Sequence, residues 1–129
     1  MKILNGIQTP DTLIGNTPLV EMIDLSLNPS VRIFAKLEYY NLTSSVKSRA
    51  AANILRIAAA AGKIHRGSTL LDASSGNTGI AYAALAAIHG YSLKVCLPSN
   101  ANQERKSMLK AYGAECIFTS PLEGSDGAI

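Results

Sequence analysis

Residues 69–90 read T-L-L-D-A-S-S-G-N-T-G-I-A-Y-A-A-L-A-A-I-H-G. Three kinds of local sequence follow one another there. Thr69–Ala73 is a short, largely apolar run with the length of a strand. Ser74-Ser75-Gly76-Asn77 is turn chemistry. Thr78–His89 is rich in alanine, the strongest helix former, and Gly90 is placed to end it. The stretch therefore predicts strand, turn and helix in immediate succession.

The same unit extends in both directions. Towards the C-terminus, Ser92–Leu97 reads as a strand closed by Pro98. Asn102–Tyr112 follows as a charged amphipathic helix, with Met108, Leu109 and Tyr112 on its apolar side and Gly113 after it. Glu115–Thr119 reads as a further strand. Towards the N-terminus, Ser45–Ala61 keeps Ile54, Ile57, Ala58 and Ala61 at helical spacing before Gly62. Arg32–Glu38 alternates and carries β-formers. Met1–Ser30, punctuated by Pro10, Gly15, Pro18 and Pro29, reads as a loop-rich leader with a short strand near Leu19–Met22. The order β-α-β-α-β-α-β predicts an α/β fold. Its expected form is a three-layer open parallel sheet with helices on both faces. Ligands bind such sheets outside the carboxyl ends of the strands. Two loops fall there: the one before Lys47, after strand 32–38, and Ser74–Asn77, after strand 69–73. Both are expected to open on one rim.

Composition narrows the function classes. Of 129 residues, 47% are hydrophobic and 16% charged, which is globular and not disordered. The net charge of +3 is mild and the basic residues are scattered, so nucleic acid is not an expected partner. Arg105, Lys106 and Lys110 read as the wet side of a helix. Cys96 and Cys116 form no C-x-x-C pair, so no metal site is expected and both read as buried structural thiols. The longest apolar run, around Ile80–Ile88, is far short of a membrane span, and Met1–Gly6 is too short and polar for a signal peptide. A cytoplasmic protein is the default.

Two constellations can carry chemistry. Ser74-Ser75-Gly76-Asn77-Thr78-Gly79 joins a strand to a helix N-terminus, where unpaired N–H groups and the helix dipole favour an anion. Gly76 allows close backbone approach, and Ser75, Thr78 and Asn77 add hydroxyl and amide groups. The same residues also make an ordinary capped turn. Lys47 falls in the first turn of its helix if Ser45 is the N-cap. A positive side chain is unfavourable there, and the neutral amine is the nucleophile that carbonyl attack requires. An exposed lysine that carries its charge out to water is the other reading.

Four stretches in order resemble the start of the cysteine synthase and cystathionine β-synthase group of pyridoxal-phosphate enzymes, which have the tryptophan synthase β-like fold (fold type II). Ile14-Gly15-Asn16-Thr17-Pro18-Leu19-Val20 is similar to the group's opening I-G-N-T-P-L-V. Lys36–Arg49 resembles K-L-E-x-x-N-P-x-G-S-V-K-D-R. Ser75–Gly79 matches S-G-N-T-G, and Leu109–Glu115 resembles L-x-A-x-G-A-E. The resemblance implies that Lys47 holds pyridoxal phosphate as a Schiff base and moves the substrate α-proton. It implies that Asn77 hydrogen-bonds the cofactor's ring hydroxyl, and that Ser74, Ser75, Gly76, Asn77 and Thr78 grip the amino-acid carboxylate. The implied reaction replaces the leaving group of an activated serine with sulfide to give cysteine.

The chain departs from the group's pattern at Leu42, Ser44 and Ser48, where the group has Pro, Gly and Asp. The resemblance divides the chain into a leader, 1–34, similar to the start of the group's larger domain, and a small α/β domain, 35–129. The larger domain's glycine-rich phosphate loop has no counterpart here, since Gly124-Ser125-Asp126-Gly127 sits where the group has an ordinary loop. The expectation is an incomplete site, inactive alone and completed by a C-terminal half. The leader's Ile14, Leu19, Val20 and Ile23 are expected to be exposed and to favour a homodimer. A non-catalytic, stand-alone domain is the alternative.

Overall fold

The computed structural model describes residues 9–123. Three parallel strands form the main sheet: β3 (Thr69–Ala73), β4 (Ser92–Pro98) and β5 (Glu115–Thr119), in the order β3-β4-β5. A separate ribbon pairs β1 (Leu19–Glu21) with β2 (Phe34–Lys36) antiparallel, Leu19 opposite Lys36. The helices are α1 (Lys47–Ala60), α2 (Asn77–His89) and α3 (Gln103–Ala111).

The ribbon corrects one expectation. The strand read at 32–38 exists, but it does not join the parallel sheet. Alternation identifies a strand without naming its partner, and here the partner is β1, in the leader. The Met22 N–H donates to the Ile33 carbonyl at the end of the ribbon. The expected division at residue 34 falls at the first residue of β2.

The register shows where the core lies. Leu70 pairs with Leu93, and Val95 with Cys116. These residues, with Leu97, pack against Ile80, Ala83 and Ala86 of α2 and Leu109 of α3. Both helices therefore cover one face of the sheet. The opposite face carries Leu71, 70% exposed, and the cross-strand pair Lys94–Glu115, with Nζ to Oε2 at 3.1 Å. The open parallel α/β sheet stands, with one helix layer on it; a second layer is not among the described residues.

Helix α2 is buried nearly all round, from Gly79 to Ala86. That is why its sequence is uniformly small and apolar instead of amphipathic. Helix α1 differs from its sequence reading. Its buried face is Ser48, Ala51 and Leu55, whereas Ile54 and Ile57 are each about half exposed. On α3 only Leu109 is buried; Met108 and Tyr112 stay partly exposed. Cys96 and Cys116 are free thiols, half-buried rather than buried. Ile14 is also not exposed as expected, because it packs against the α1–α2 cluster; Leu19, Val20 and Ile23 are exposed. The cluster Gly124–Gly127 lies outside the described residues, as does Met1–Gly6. No helix among the described residues is long and apolar enough to cross a membrane.

Candidate active site

Helix packing sets the position of Lys47 relative to the loop at 74–78. Ala51 and Leu55 share one buried cluster with Ala81 and Leu85. Ala51 and Ala81 lie one turn beyond Lys47 and Asn77; Leu55 and Leu85 lie two turns beyond. Helix α1 leads into the start of β3, and α2 leaves its carboxyl end. The two helices therefore run side by side in the same direction, with their first turns at one end of the pair. That end is the carboxyl rim of the sheet. The shared rim expected from the sequence is present, although helix packing produces it and not a common sheet.

Lys47 is the first residue of α1 and its side chain is exposed. Its amine makes no ion pair among the described residues. Ser45 was expected as the N-cap. Val46 occupies that position with helical dihedrals, and the Lys47 N–H donates instead to Ser45 Oγ at 3.2 Å. Ser48, 1% exposed, turns back to the entering loop: its Oγ accepts from the Thr43 N–H at 3.3 Å and lies 2.6 Å from Thr43 Oγ1. The short hydroxyl thus makes the backward bond of a capping box, but to Thr43. Ser44 has φ of 51°, in the left-handed region. That is the physical reason a glycine suits this position.

A network that the sequence reading missed braces this loop. Arg49 donates from Nε to Glu38 Oε2 at 2.8 Å and from Nη2 to Glu38 Oε1 at 2.9 Å, a two-point pair. Nη2 also donates to Thr17 Oγ1 at 3.0 Å, and Thr17 Oγ1 donates to Glu38 Oε1 at 2.9 Å. Buried Asn41 donates to Glu38 Oε2 at 2.8 Å, and its Oδ1 accepts from the Gly15 N–H at 2.9 Å. Lys36 Nζ donates to the Thr17 carbonyl. The hydrogen bond from Arg49 dominates a fall in the Glu38 pKa from 4.5 to about 2. The network joins the leader, the ribbon and the first turn of α1, and so fixes the base from which Lys47 projects. The signal available in the sequence was the occurrence of Thr17, Glu38, Asn41 and Arg49 inside the resembling stretches, but one-dimensional spacing does not show that they meet.

The second loop is built around Ser74. Its Oγ accepts from the Gly79 N–H at 3.0 Å and from the Gly76 N–H at 3.4 Å. The Ser74 hydroxyl therefore faces into the turn and shapes it. The Ile80 N–H is taken by the Gly76 carbonyl at 3.3 Å. The N–H groups of Asn77 and Thr78 remain, because a helix supplies no partner to its first donors. A Cβ built on Gly76 meets nothing within 4 Å, so open space faces that backbone. A Cβ on Gly79 would instead lie 2.8 Å from the Ser74 carbonyl oxygen. Gly79 is required for close packing and Gly76 faces the open side. Asn77 is exposed; Ser75 and Thr78 are half-buried. Beneath the loop, one buried oxygen of Asp72 lacks a partner. Burial pushes the Asp72 carboxyl up, and burial followed by the Asp72 charge pushes the Tyr82 phenol up. Among the described residues no three His, Cys, Asp or Glu side chains gather as a metal site would need.

The rim thus joins an unpaired lysine amine to a loop with free N–H donors, an amide and open space. These residues fit a cofactor bearing a carbonyl carbon and a substrate bearing a carboxylate. The family model described as pyridoxal-phosphate dependent enzyme matches residues 11–128. Cysteine synthase B of Pseudomonas syringae pv. syringae is 46% identical over 121 residues, covering 94% of this chain and 72% of that protein. Cysteine synthase B of Salmonella typhimurium is 44% identical over 120 residues, covering 93% of this chain and 40% of its own length. The crystal structure of cysteine synthase from Entamoeba histolytica superposes with a TM-score of 0.88 at 36% identity, over 99% of this chain and 40% of that one. Cystathionine beta-synthase from Bacillus anthracis gives 0.75 at 38% identity, over 97% and 47%. The chain thus spans less than half the length of most of these relatives. Its sheet and helices are part of the tryptophan synthase β-like fold seen in them. On the rim geometry and these matches together, the chain belongs to the pyridoxal-phosphate dependent enzymes of the cysteine synthase and cystathionine β-synthase group, whose cofactor is pyridoxal phosphate.

Proposed function

We propose that this chain carries the lysine and carboxylate-binding part of a cysteine synthase, which replaces the leaving group of an activated serine with sulfide. The observation that supports this most is the shared rim, where the exposed Lys47 amine and the open loop at Ser74–Thr78 stand at one end of the α1–α2 pair. Lys47 holds the cofactor through its amine and moves the proton at the substrate α-carbon. The Asn77 side-chain amide hydrogen-bonds the cofactor ring hydroxyl. The N–H groups of Asn77 and Thr78, with the Ser75 and Thr78 hydroxyls and the bare backbone of Gly76, take the amino-acid carboxylate. Ser74 serves that carboxylate indirectly, by holding the turn in shape. Pyridoxal phosphate, when bound, supplies the electron sink for bond changes at the substrate α-carbon.

Residues 35–129 form the small domain in this reading, and residues 1–34 the edge of a larger one. A complementing segment supplies the phosphate cradle and the partner of the ring nitrogen. A second reading, a self-associating domain without catalysis, draws support from the exposed Leu19, Ile23 and Leu25. Cysteine formation from an O-acylated serine and sulfide separates the two. It is measured with this chain, the cofactor and the remaining portion of a homologous cysteine synthase. Activity that disappears in Lys47→Ala supports the first reading. Activity indifferent to Lys47, or none with any complement, contradicts it.

A further inference from the structure

Arg105 lies on the exposed side of its helix, as its sequence predicts, but its guanidinium is not left to water alone. It lies in the first turn of α3, and its Nη1 donates to the Ser75 carbonyl oxygen at 3.2 Å. We propose that Arg105 is a positioning residue for the carboxylate-gripping loop, pinning the Ser75–Gly76 peptide from the α3 side. The inference rests on the role proposed above for residues 74–78.

The Ser75 carbonyl and the Gly76 N–H are the two ends of one planar unit, which can rotate only as a whole. Ser74 Oγ holds the N–H end and Arg105 holds the C=O end. Without Arg105 that unit is tethered at one end only, by the longer of the two Ser74 bonds. Its orientation determines where the next N–H groups, those of Asn77 and Thr78, can point. Electrostatics act in the same direction. A bare carbonyl beside the loop would repel a carboxylate, and the guanidinium both satisfies that oxygen and adds a positive charge at the rim.

Arg105 works from a fixed base. Strands β3 and β4 are neighbours, so the first turns of α2 and α3 emerge side by side, and the two helices pack together. Asn102 caps α3, its Oδ1 accepting from the Glu104 N–H at 2.7 Å. Lys106 Nζ donates to the Ser99 carbonyl at 2.5 Å and ties the same turn to the loop that enters it.

The test is amide hydrogen exchange on the ¹⁵N-labelled chain, comparing wild type with Arg105→Ala and Arg105→Lys. Alanine is well tolerated on an exposed helix face, so α3 itself persists. The expected result is exchange at Gly76 and Gly79, whose N–H groups donate to Ser74 Oγ, faster by roughly two- to tenfold in the alanine variant, the range one hydrogen bond supplies. Val95 and Leu109 should be unchanged, and the lysine variant intermediate. Unchanged exchange in the loop, or an equal rise throughout β4 and α3, overturns the proposal. A parallel titration with L-alanine, read at the Asn77 and Thr78 amides, should show affinity falling by a similar factor in Arg105→Ala and partly restored in Arg105→Lys. A wild-type chain whose loop amides ignore L-alanine refutes the carboxylate role, and exchange still decides whether Arg105 positions the loop.

Discussion

Ser44→Gly should stabilise this protein, although it removes a side chain and adds freedom to the unfolded chain. Ser44 holds φ of 51° in the tight turn that delivers the chain to Lys47, and its N–H donates to the Asn41 carbonyl at 2.8 Å. A residue with a Cβ costs about 1–2 kcal/mol in the left-handed region. Glycine removes that strain but gives back about 0.4–1 kcal/mol through the greater entropy of the unfolded state. The net expectation is a gain of roughly 0.5–1 kcal/mol. With an unfolding entropy of about 2 cal/mol/K per residue, that raises Tm by roughly 2–4 °C in a chain of this length. Ser44→Ala is the control. It keeps the Cβ and the strain, and should fall within about 0.5 kcal/mol of wild type. Urea denaturation and thermal unfolding by circular dichroism measure both variants. A glycine variant no more stable than the alanine variant refutes the strain argument.

Other substitutions probe the rest of the site. In Glu38→Gln the charged anchor of the Arg49 network is lost, and the expected signature lies in the pH profile. Glu38 titrates lower in the folded state, so its contribution is fully present above pH 4.5 and disappears as pH falls towards 2. The Tm difference between wild type and the variant should therefore narrow across that window; a constant difference contradicts the assignment. Gly79→Ala forces a Cβ to 2.8 Å from the Ser74 carbonyl oxygen and should cost about 1–3 kcal/mol in urea unfolding. An unperturbed Gly79→Ala would show that the turn is looser than described. The exposed Leu19, Ile23 and Leu25 predict self-association, visible as a sedimentation mass that rises with concentration. A strictly monomeric mass at high concentration contradicts it.

The strand–turn–helix grammar was legible because local chemistry writes it. Ser, Gly and Asn mark the turn after β3, alanines the buried α2, and Gly62 and Gly113 the ends of α1 and α3. Strands β3 and β5 stand at the positions their sequence predicts. Partnership was less legible. Arg32–Glu38 has the pattern of a strand whichever neighbour it takes, and only the fold shows that it pairs with β1 outside the main sheet. The apolar spacing of Ile54 and Ile57 was read correctly as helical, but periodicity does not say which stripe is covered. The small Ala51 lets α2 approach closely, and the larger isoleucines remain outside. The candidate site residues come from resemblance and position, and the fold sets Lys47 and the loop at 74–78 at one end of the α1–α2 pair. The groups that brace them, Glu38, Arg49, Thr17 and Arg105, were not legible, because each acts across a long stretch of chain.

The most direct test of the account traps the cofactor on the protein. The chain is mixed with pyridoxal phosphate, reduced with borohydride and digested, and the modified lysines are mapped by mass spectrometry. The account predicts modification concentrated at Lys47 over Lys36, Lys63, Lys94, Lys106 and Lys110, and weakened by Asn77→Ala. Modification spread evenly over the lysines, with Lys47 unremarkable and Asn77→Ala without effect, would contradict it.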